Sequence, residues 1–135
     1  MPRRLRLCTD GAARGNPGPA GAGAVLFDGE GRVVEELTSY LGETTNNVAE
    51  YEALLLGLRK ARELKATEIE IQADSELMVR QLSGEYRVKN EGLKPLFQEA
   101  VRLLREFEKY SIKHIDRSLN KEADRLANRA IDENY

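Results

Sequence analysis

The succession of hydrophobic periodicities along this chain restricts its fold more than any single motif. Three strand-like runs come first: Leu5, Leu7 and Thr9 alternating with Arg4, Arg6 and Cys8, then "AGAGAVLFD" (20–28), then "GRVVEELTSYLG" (31–42). The short Asp28–Gly31 turn predicts that the second and third pair as a hairpin. A long helix over 47–64 follows, with Asn46 or Asn47 placed to cap it. Next come a strand over 68–74, a helix over 75–83, and a helix over 91–109 with Pro95 tolerable in its first turn. A strand over 111–115 and a helix over 120–133, capped by Asn120, complete the pattern. Three strands followed by alternating helices and strands predict an α/β sheet with an antiparallel meander at one end. The later connections cross through helices, so strands one, four and five are expected to run parallel. No repeat, low-complexity tract or linker interrupts the pattern, and residues 1–135 are expected to form a single domain.

Composition narrows the chemistry. One Cys and one His cannot build the usual nitrogen-and-sulfur zinc site, and a Cys–His nucleophilic pair would need Cys8 and His114 to meet. A metal here is therefore expected on carboxylates, which points to Mg²⁺ or Mn²⁺. A single cysteine fits a reducing, cytoplasmic setting. The basic start "MPRRLRLCTD" lacks the apolar stretch of a signal peptide, and no apolar run approaches membrane-spanning length. The net charge of −2 argues against a nucleic-acid binder when taken alone. Divalent ions on a carboxylate cluster would neutralise that charge locally.

Four acids break the local patterns. Asp10 ends strand one beside "GAARGNPGPAG", either as half of an Asp-Gly turn or as a ligand. Glu50 shares a helix face with Leu54, Gly57, Leu58 and Ala61, where a carboxylate is costly unless paired or metal-bound. Its position near the helix N-terminus, where negative charge suits the dipole, is the alternative. Asp74 stands at a strand-to-helix junction, as a ligand or an N-cap. Asp124 borders the apolar stripe of Ala123, Leu126, Ala127, Ala130 and Ile131, as a ligand or a solvated first-turn residue. In open α/β sheets, ligands bind at strand carboxyl ends where the strand order reverses, and Asp10 and Asp74 would both arrive there. Four carboxylates so placed would crowd like charge unless cations entered. Two ions about 3.5–4 Å apart suit in-line displacement at phosphorus and need no side-chain nucleophile. The glycine loop lacks a GK[ST] ending and leads into a strand, so it is not a P-loop; "GAGAV" is too short for a dinucleotide fingerprint.

"TDGAARGNPGPAGAGAV", "TTNNVAEYEALLLGL", "ADSELMVRQL" and "NKEADRLA" together resemble the four signature blocks of type 1 ribonuclease H, in the family's order and over almost the whole chain. The resemblance implies a five-stranded mixed sheet of order 3-2-1-4-5 with strand two antiparallel. It implies two-metal hydrolysis of the RNA strand of RNA–DNA hybrids, leaving 3′-hydroxyl and 5′-phosphate ends. It makes Asp10, Glu50, Asp74 and Asp124 the metal ligands, Gly15 and Asn16 groove contacts, and Asn46 and Asn47 base-edge or sugar contacts. Thr45 resembles the residue that helps bind a DNA-strand phosphate. The 2′-hydroxyl distinguishes RNA from DNA at such a site.

The chain departs from the family pattern in three places. Many members carry a product-release His in the loop before the last helix; here the candidates are His114, inside strand five, and Arg117, in the loop. Some members carry a basic, Trp-containing protrusion where this chain has the short "GEYRVKNEG" (84–92) and no Trp. Glu76 stands where a Gln often contacts substrate. Three alternatives stand beside the hybrid-cutting function: a related nuclease acting on double-stranded RNA or RNA–DNA junctions, a catalytically silent nucleic-acid-binding module, and a phosphate-binding regulatory domain, for which the chain offers no basic phosphate cradle beyond scattered Arg. Four carboxylates beside phosphates disfavour the silent module. The chemistry requires no partner protein, and a monomer is expected.

Overall fold

The computed structural model describes residues 3–134. β1 (Arg4–Ala13), β2 (Gly18–Phe27) and β3 (Val33–Thr44) form the antiparallel meander. α1 (Asn46–Glu63) carries the chain to β4 (Glu68–Ala73). α2 (Glu76–Leu82) and α3 (Lys94–Leu104) lead to β5 (Lys109–His114), and α4 (Lys121–Glu133) follows. The sheet order is β3-β2-β1-β4-β5, with β4 parallel to both β1 and β5 and β2 antiparallel to its neighbours. Both the α/β layout and the expected strand order are present. Among the described residues no helix is long and apolar enough to cross a membrane.

Two helical layers flank the sheet for different reasons. Leu5 and Leu7 of β1 and Ile69 and Ile71 of β4 project alternately into a core with Leu54 and Leu58 of α1 and Leu103 and Leu104 of α3. The glycines of "AGAGA" admit α4 to β2. A Cβ on Gly23 would collide with the backbone of Ala123 and Ala127, and one on Gly21 with the Ala127 carbonyl. Glycine toward α4 and alanine away from it therefore let this helix lie directly on the strand.

Several boundaries differ from the sequence expectations. β1 does not stop at Asp10 but continues through Gly11 to Ala13, paired with β2 throughout. The α1 cap is Thr45, whose Oγ1 accepts the Val48 N–H at 3.3 Å; Asn46 and Asn47 lie within the helix. Ser75, not Asp74, caps α2 by accepting the Met78 N–H at 3.3 Å. Asn120 precedes α4 but makes no side-chain cap bond. The expected 91–109 helix is confined to Lys94–Leu104, because Phe107 turns into the core and the Glu108 N–H donates to the Thr67 carbonyl, starting β5.

One buried polar pair ties α1 to α2. The Tyr51 hydroxyl donates to Gln81 Oε1 at 2.6 Å, and both residues are buried. Tyr51→Phe leaves that oxygen unsatisfied and is expected to cost about 1–2 kcal/mol, read from urea unfolding.

Candidate active site

β4 ends its pairing at Ala73, opposite Thr9, whereas β1 and β2 remain paired as far as Ala13 and Ala20. β1 therefore overhangs the end of β4. Asp10 is the first residue of the overhang, and Asp74 the first residue beyond β4. This is the switch point between the antiparallel and parallel halves of the sheet.

Gly11 brings in the third acid. A Cβ on Gly11 would overlap the Ala49 carbonyl carbon and the Glu50 nitrogen, so only glycine lets the first turns of α1 come this close. Its N–H donates to Glu50 Oε1 at 3.2 Å. The Asp-Gly pair is thus not a turn, and the glycine serves a helix some forty residues later, a contact no local rule detects. The true turn of this hairpin lies at its tip, where Gly15 adopts φ +108°, a conformation that favours glycine.

Oxygen atoms of Asp10, Glu50 and Asp74 all lie within 4.8 Å of one another. Asp10 and Glu50 are 5% and 4% exposed, depths at which unpaired carboxylates are rare. Burial, then the charges of Glu50 and Asp74, push the Asp10 carboxyl far above the ordinary carboxylate range, and hydrogen-bonding proximity to Asp124 and Glu50 adds to the rise. Burial likewise raises Glu50 and the Asp74 charge adds to the rise, although the proximity of the Asp10 carboxyl, the Gly11 N–H and the Arg117 charge oppose it. Glu50 Oε2 is buried with no hydrogen-bond partner. An orphaned carboxylate oxygen among crowded acids, with oxygen the only donor type, fits a hard divalent cation.

These acids border a cleft of about 390 Å³ whose walls also include Asp124, Asn46 and Arg117. Asp124 stands outside the tight trio, half-buried on α4, with Arg117 Nη2 at 4.0 Å from its Oδ1. Asn16 lies at the hairpin tip, where its Oδ1 accepts the Asn46 N–H at 3.1 Å. Thr45 is occupied as the α1 cap, and Asn47 is exposed on the first turn of the same helix. Glu76 is exposed and paired with Arg80 at 2.8 Å, away from the cleft walls. His114 ends β5, exposed and outside the cleft, whereas Arg117 reaches it from a short 3-10 turn at Arg117–Leu119.

Three residues at this site escaped the sequence reasoning. Asn120 is buried, and its Nδ2 donates to the Thr9 carbonyl at 2.9 Å and to Asp74 Oδ2 at 3.3 Å, clamping α4 to β1 and to the acid. Arg14 and Asn128 also line the cleft. An Asn in mid-helix, where its side chain competes with the backbone, was the available signal for Asn128. Arg14, in a loop of small residues, gave none.

Comparison with known proteins agrees with this architecture. A family profile described as "Reverse transcriptase-like" matches residues 8–130. Ribonuclease HI of Halobacterium salinarum is 42% identical over 130 residues, covering 96% of this chain and 65% of the relative. The crystal structure of RNase H1 from that archaeon superposes with a TM-score of 0.93 at 42% identity, over 96% of this chain and 98% of that one. The bifunctional protein Rv2228c of Mycobacterium tuberculosis is 44% identical over 124 residues, 91% of this chain but 34% of the relative's length. LC11-RNase H1, crystallised in complex with an RNA/DNA hybrid, is 44% identical with a TM-score of 0.91 over 96% of this chain and 98% of that chain. A chain that carries this profile and superposes on these crystal structures over nearly its whole length belongs to the ribonuclease H family.

Proposed function

We propose that this protein is an endoribonuclease that hydrolyses the RNA strand of RNA–DNA hybrids with the help of two divalent cations, Mg²⁺ or Mn²⁺. The observation that carries the proposal is the trio Asp10, Glu50 and Asp74, with a buried Glu50 oxygen that no protein group satisfies. The hybrid bound to LC11-RNase H1 supports the choice of substrate.

Asp10, Glu50, Asp74 and Asp124 would hold the cations. Asp10, whose carboxylate oxygen lies with those of Glu50 and Asp74 within 4.8 Å of one another, would be the central ligand. When bound, such ions neutralise the cluster, lower the pKa of an attacking water and stabilise the departing 3′-oxygen. The protein's own part is to fix the carboxylates on rigid elements: β1, the end of β4, and the first turns of α1 and α4. A covalent route through a Cys8–His114 pair is closed. Cys8 is buried with its thiol pushed up by burial, and β4 lies between it and the strand of His114. The hairpin tip at Gly15 and Asn16, with Thr45, Asn46 and Asn47 at the start of α1, is assigned to the hybrid's backbone and groove. Glu76 is assigned to a peripheral contact. Arg117 takes the product-release position in preference to His114, because it reaches the cleft and His114 does not. The proposed enzyme acts as a monomer in the cytoplasm, with residues 1–135 folding as one ribonuclease H domain.

The test compares end-labelled RNA–DNA hybrid, double-stranded RNA and single strands, each with Mg²⁺, Mn²⁺ or chelator. The expected result is cutting of the RNA strand of the hybrid alone, in the cation lanes alone, with 5′-phosphate products. Hybrid left intact in both cations would overturn the proposal.

A further inference from the structure

Asp124, Asn128 and Asp132 stand at i, i+4 and i+8, one strip along α4. Arg14, from the β1–β2 hairpin, lies across this strip. Its Nη1 donates to Asp132 Oδ1 at 2.6 Å and its Nη2 to Asn128 Oδ1 at 3.4 Å. Asn128 Nδ2 in turn donates to Asp124 Oδ1 at 3.3 Å and to the Asp124 carbonyl at 3.0 Å. A guanidinium has donors only, so its contact sets the Asn128 amide with oxygen toward Arg14 and NH₂ toward Asp124. The opposite orientation would set oxygen against a carboxylate. Asp124 is the acid that needs such support, since it lies outside the tight trio and its neighbour Arg117 has a side chain 83% exposed. The hairpin is held on its other flank too, where Asn16 accepts the Asn46 N–H at the start of α1. Its tip therefore spans the two helices that carry Glu50 and Asp124.

We propose that Asn128 and Arg14 are positioning residues for Asp124, with Arg14 acting through Asn128. The kinetic consequences rest on the nuclease function above; the consequence for cation binding rests on this geometry alone. The competing role for Arg14 is direct contact with a substrate phosphate. The two roles separate cleanly, because phosphate contacts appear in KM and in the salt dependence, whereas positioning of a ligand appears in kcat and in cation affinity.

The experiment uses the full chain with Asn128→Ala, Arg14→Met, Arg14→Lys and the Asn128→Ala/Arg14→Met double variant. Steady-state cleavage of a fluorescent RNA–DNA hybrid gives kcat and KM, and calorimetric titration of the substrate-free proteins with Mn²⁺ gives cation affinity. Asn128→Ala is expected to lower kcat by about tenfold with KM little changed, the usual scale for a group supporting a metal ligand. Arg14→Met is expected to lower kcat by about threefold, and the double variant to be no worse than Asn128→Ala, since the two act in series. Mn²⁺ affinity falls with kcat, and Arg14→Lys, which keeps a donor, recovers part of both. Melting curves check folding, with Asn128→Ser as the second variant should the alanine form melt early. Losses that multiply in the double variant, losses confined to KM with a shallower salt slope, or Mn²⁺ isotherms identical across the set would each overturn the proposal. A wild-type protein that leaves hybrid uncut would remove the nuclease function, and the Mn²⁺ isotherms would then decide the positioning role by themselves.

Discussion

Asp10→Asn is expected to reduce hybrid cleavage by about 10³-fold or more, and yet to raise the melting temperature of the cation-free protein at neutral pH. The substitution keeps the shape and removes the titrating group. Asp10 and Glu50 are both raised above their unfolded values, Asp10 by burial and by Glu50 and Asp74, and Glu50 mainly by burial. A carboxyl raised in the folded state holds its proton more tightly there than in the unfolded chain. Its contribution to stability is therefore complete below the ordinary carboxylate pKa, near 4, and is lost as pH rises through the raised value. The cation-free wild type should lose stability from pH 5 to pH 8 on account of these groups. Asp10→Asn should flatten that slope and gain about 5 °C at pH 8, a shift corresponding to roughly 1–2 kcal/mol for a domain of this size. Mn²⁺ should raise the wild-type melting temperature more at pH 8 than at pH 5. Calorimetric scans with chelator or Mn²⁺ check all three expectations. A variant less stable than wild type at pH 8 in chelator would show that the Asp10 carboxyl makes a net favourable contact in the bare site that an amide does not replace.

Gly11→Ala is expected to be the most damaging single-methyl substitution near the site. The added Cβ meets the Ala49 and Glu50 backbone, which cannot rotate aside as a flexible side chain would. β1 and α1 must separate, at a cost of about 3 kcal/mol, the upper end for overpacking. Separation also lengthens the Gly11 N–H contact with Glu50 Oε1 and draws that carboxylate away from Asp10. Urea unfolding should report the loss of stability, and Mn²⁺ titration a parallel loss of affinity under conditions where the variant remains folded. A stable variant with wild-type Mn²⁺ affinity would mean that α1 can shift without disturbing the acids.

What the sequence made legible was whatever its periodicity encodes. Leu5 and Leu7 against Arg4 and Arg6, or Glu50 on the apolar face of its helix, are patterns in a single element, and the α/β layout follows from their order. The signature blocks carried the strand order and pointed to Asp10, Glu50 and Asp74, which the structure brings within 4.8 Å of one another. What stayed hidden was pairwise and long-range. Gly11 looked like turn chemistry because its partner is α1, far along the chain. Asn120 looked like a helix cap because Asn commonly is one, while its amide is in fact spent on Thr9 and Asp74. Thr45 and Ser75 took the caps assigned to neighbours because the choice among adjacent Thr, Ser, Asn and Asp rests on backbone dihedrals that sequence does not specify. Asp124 met its helix expectation, half-buried at the edge of the stripe, but the Arg14–Asn128 chain behind it joins two distant segments.

The overhang of β1 beyond β4 also bears on how the molecule forms. β1 pairs with β4 only after the chain has passed through β2, β3 and α1, and α4 settles on β2 later still in chain order. The acids are thus assembled by contacts of large sequence separation, the slow class in folding. We expect their mutual repulsion to be imposed after the rate-limiting step, an order that stopped-flow folding and unfolding of Asp10→Asn against the wild type would check. Strain placed there accelerates unfolding and leaves the folding rate almost untouched. The chain can therefore carry a self-repelling site without slowing the search for its fold, and a bound cation should act chiefly as a brake on unfolding.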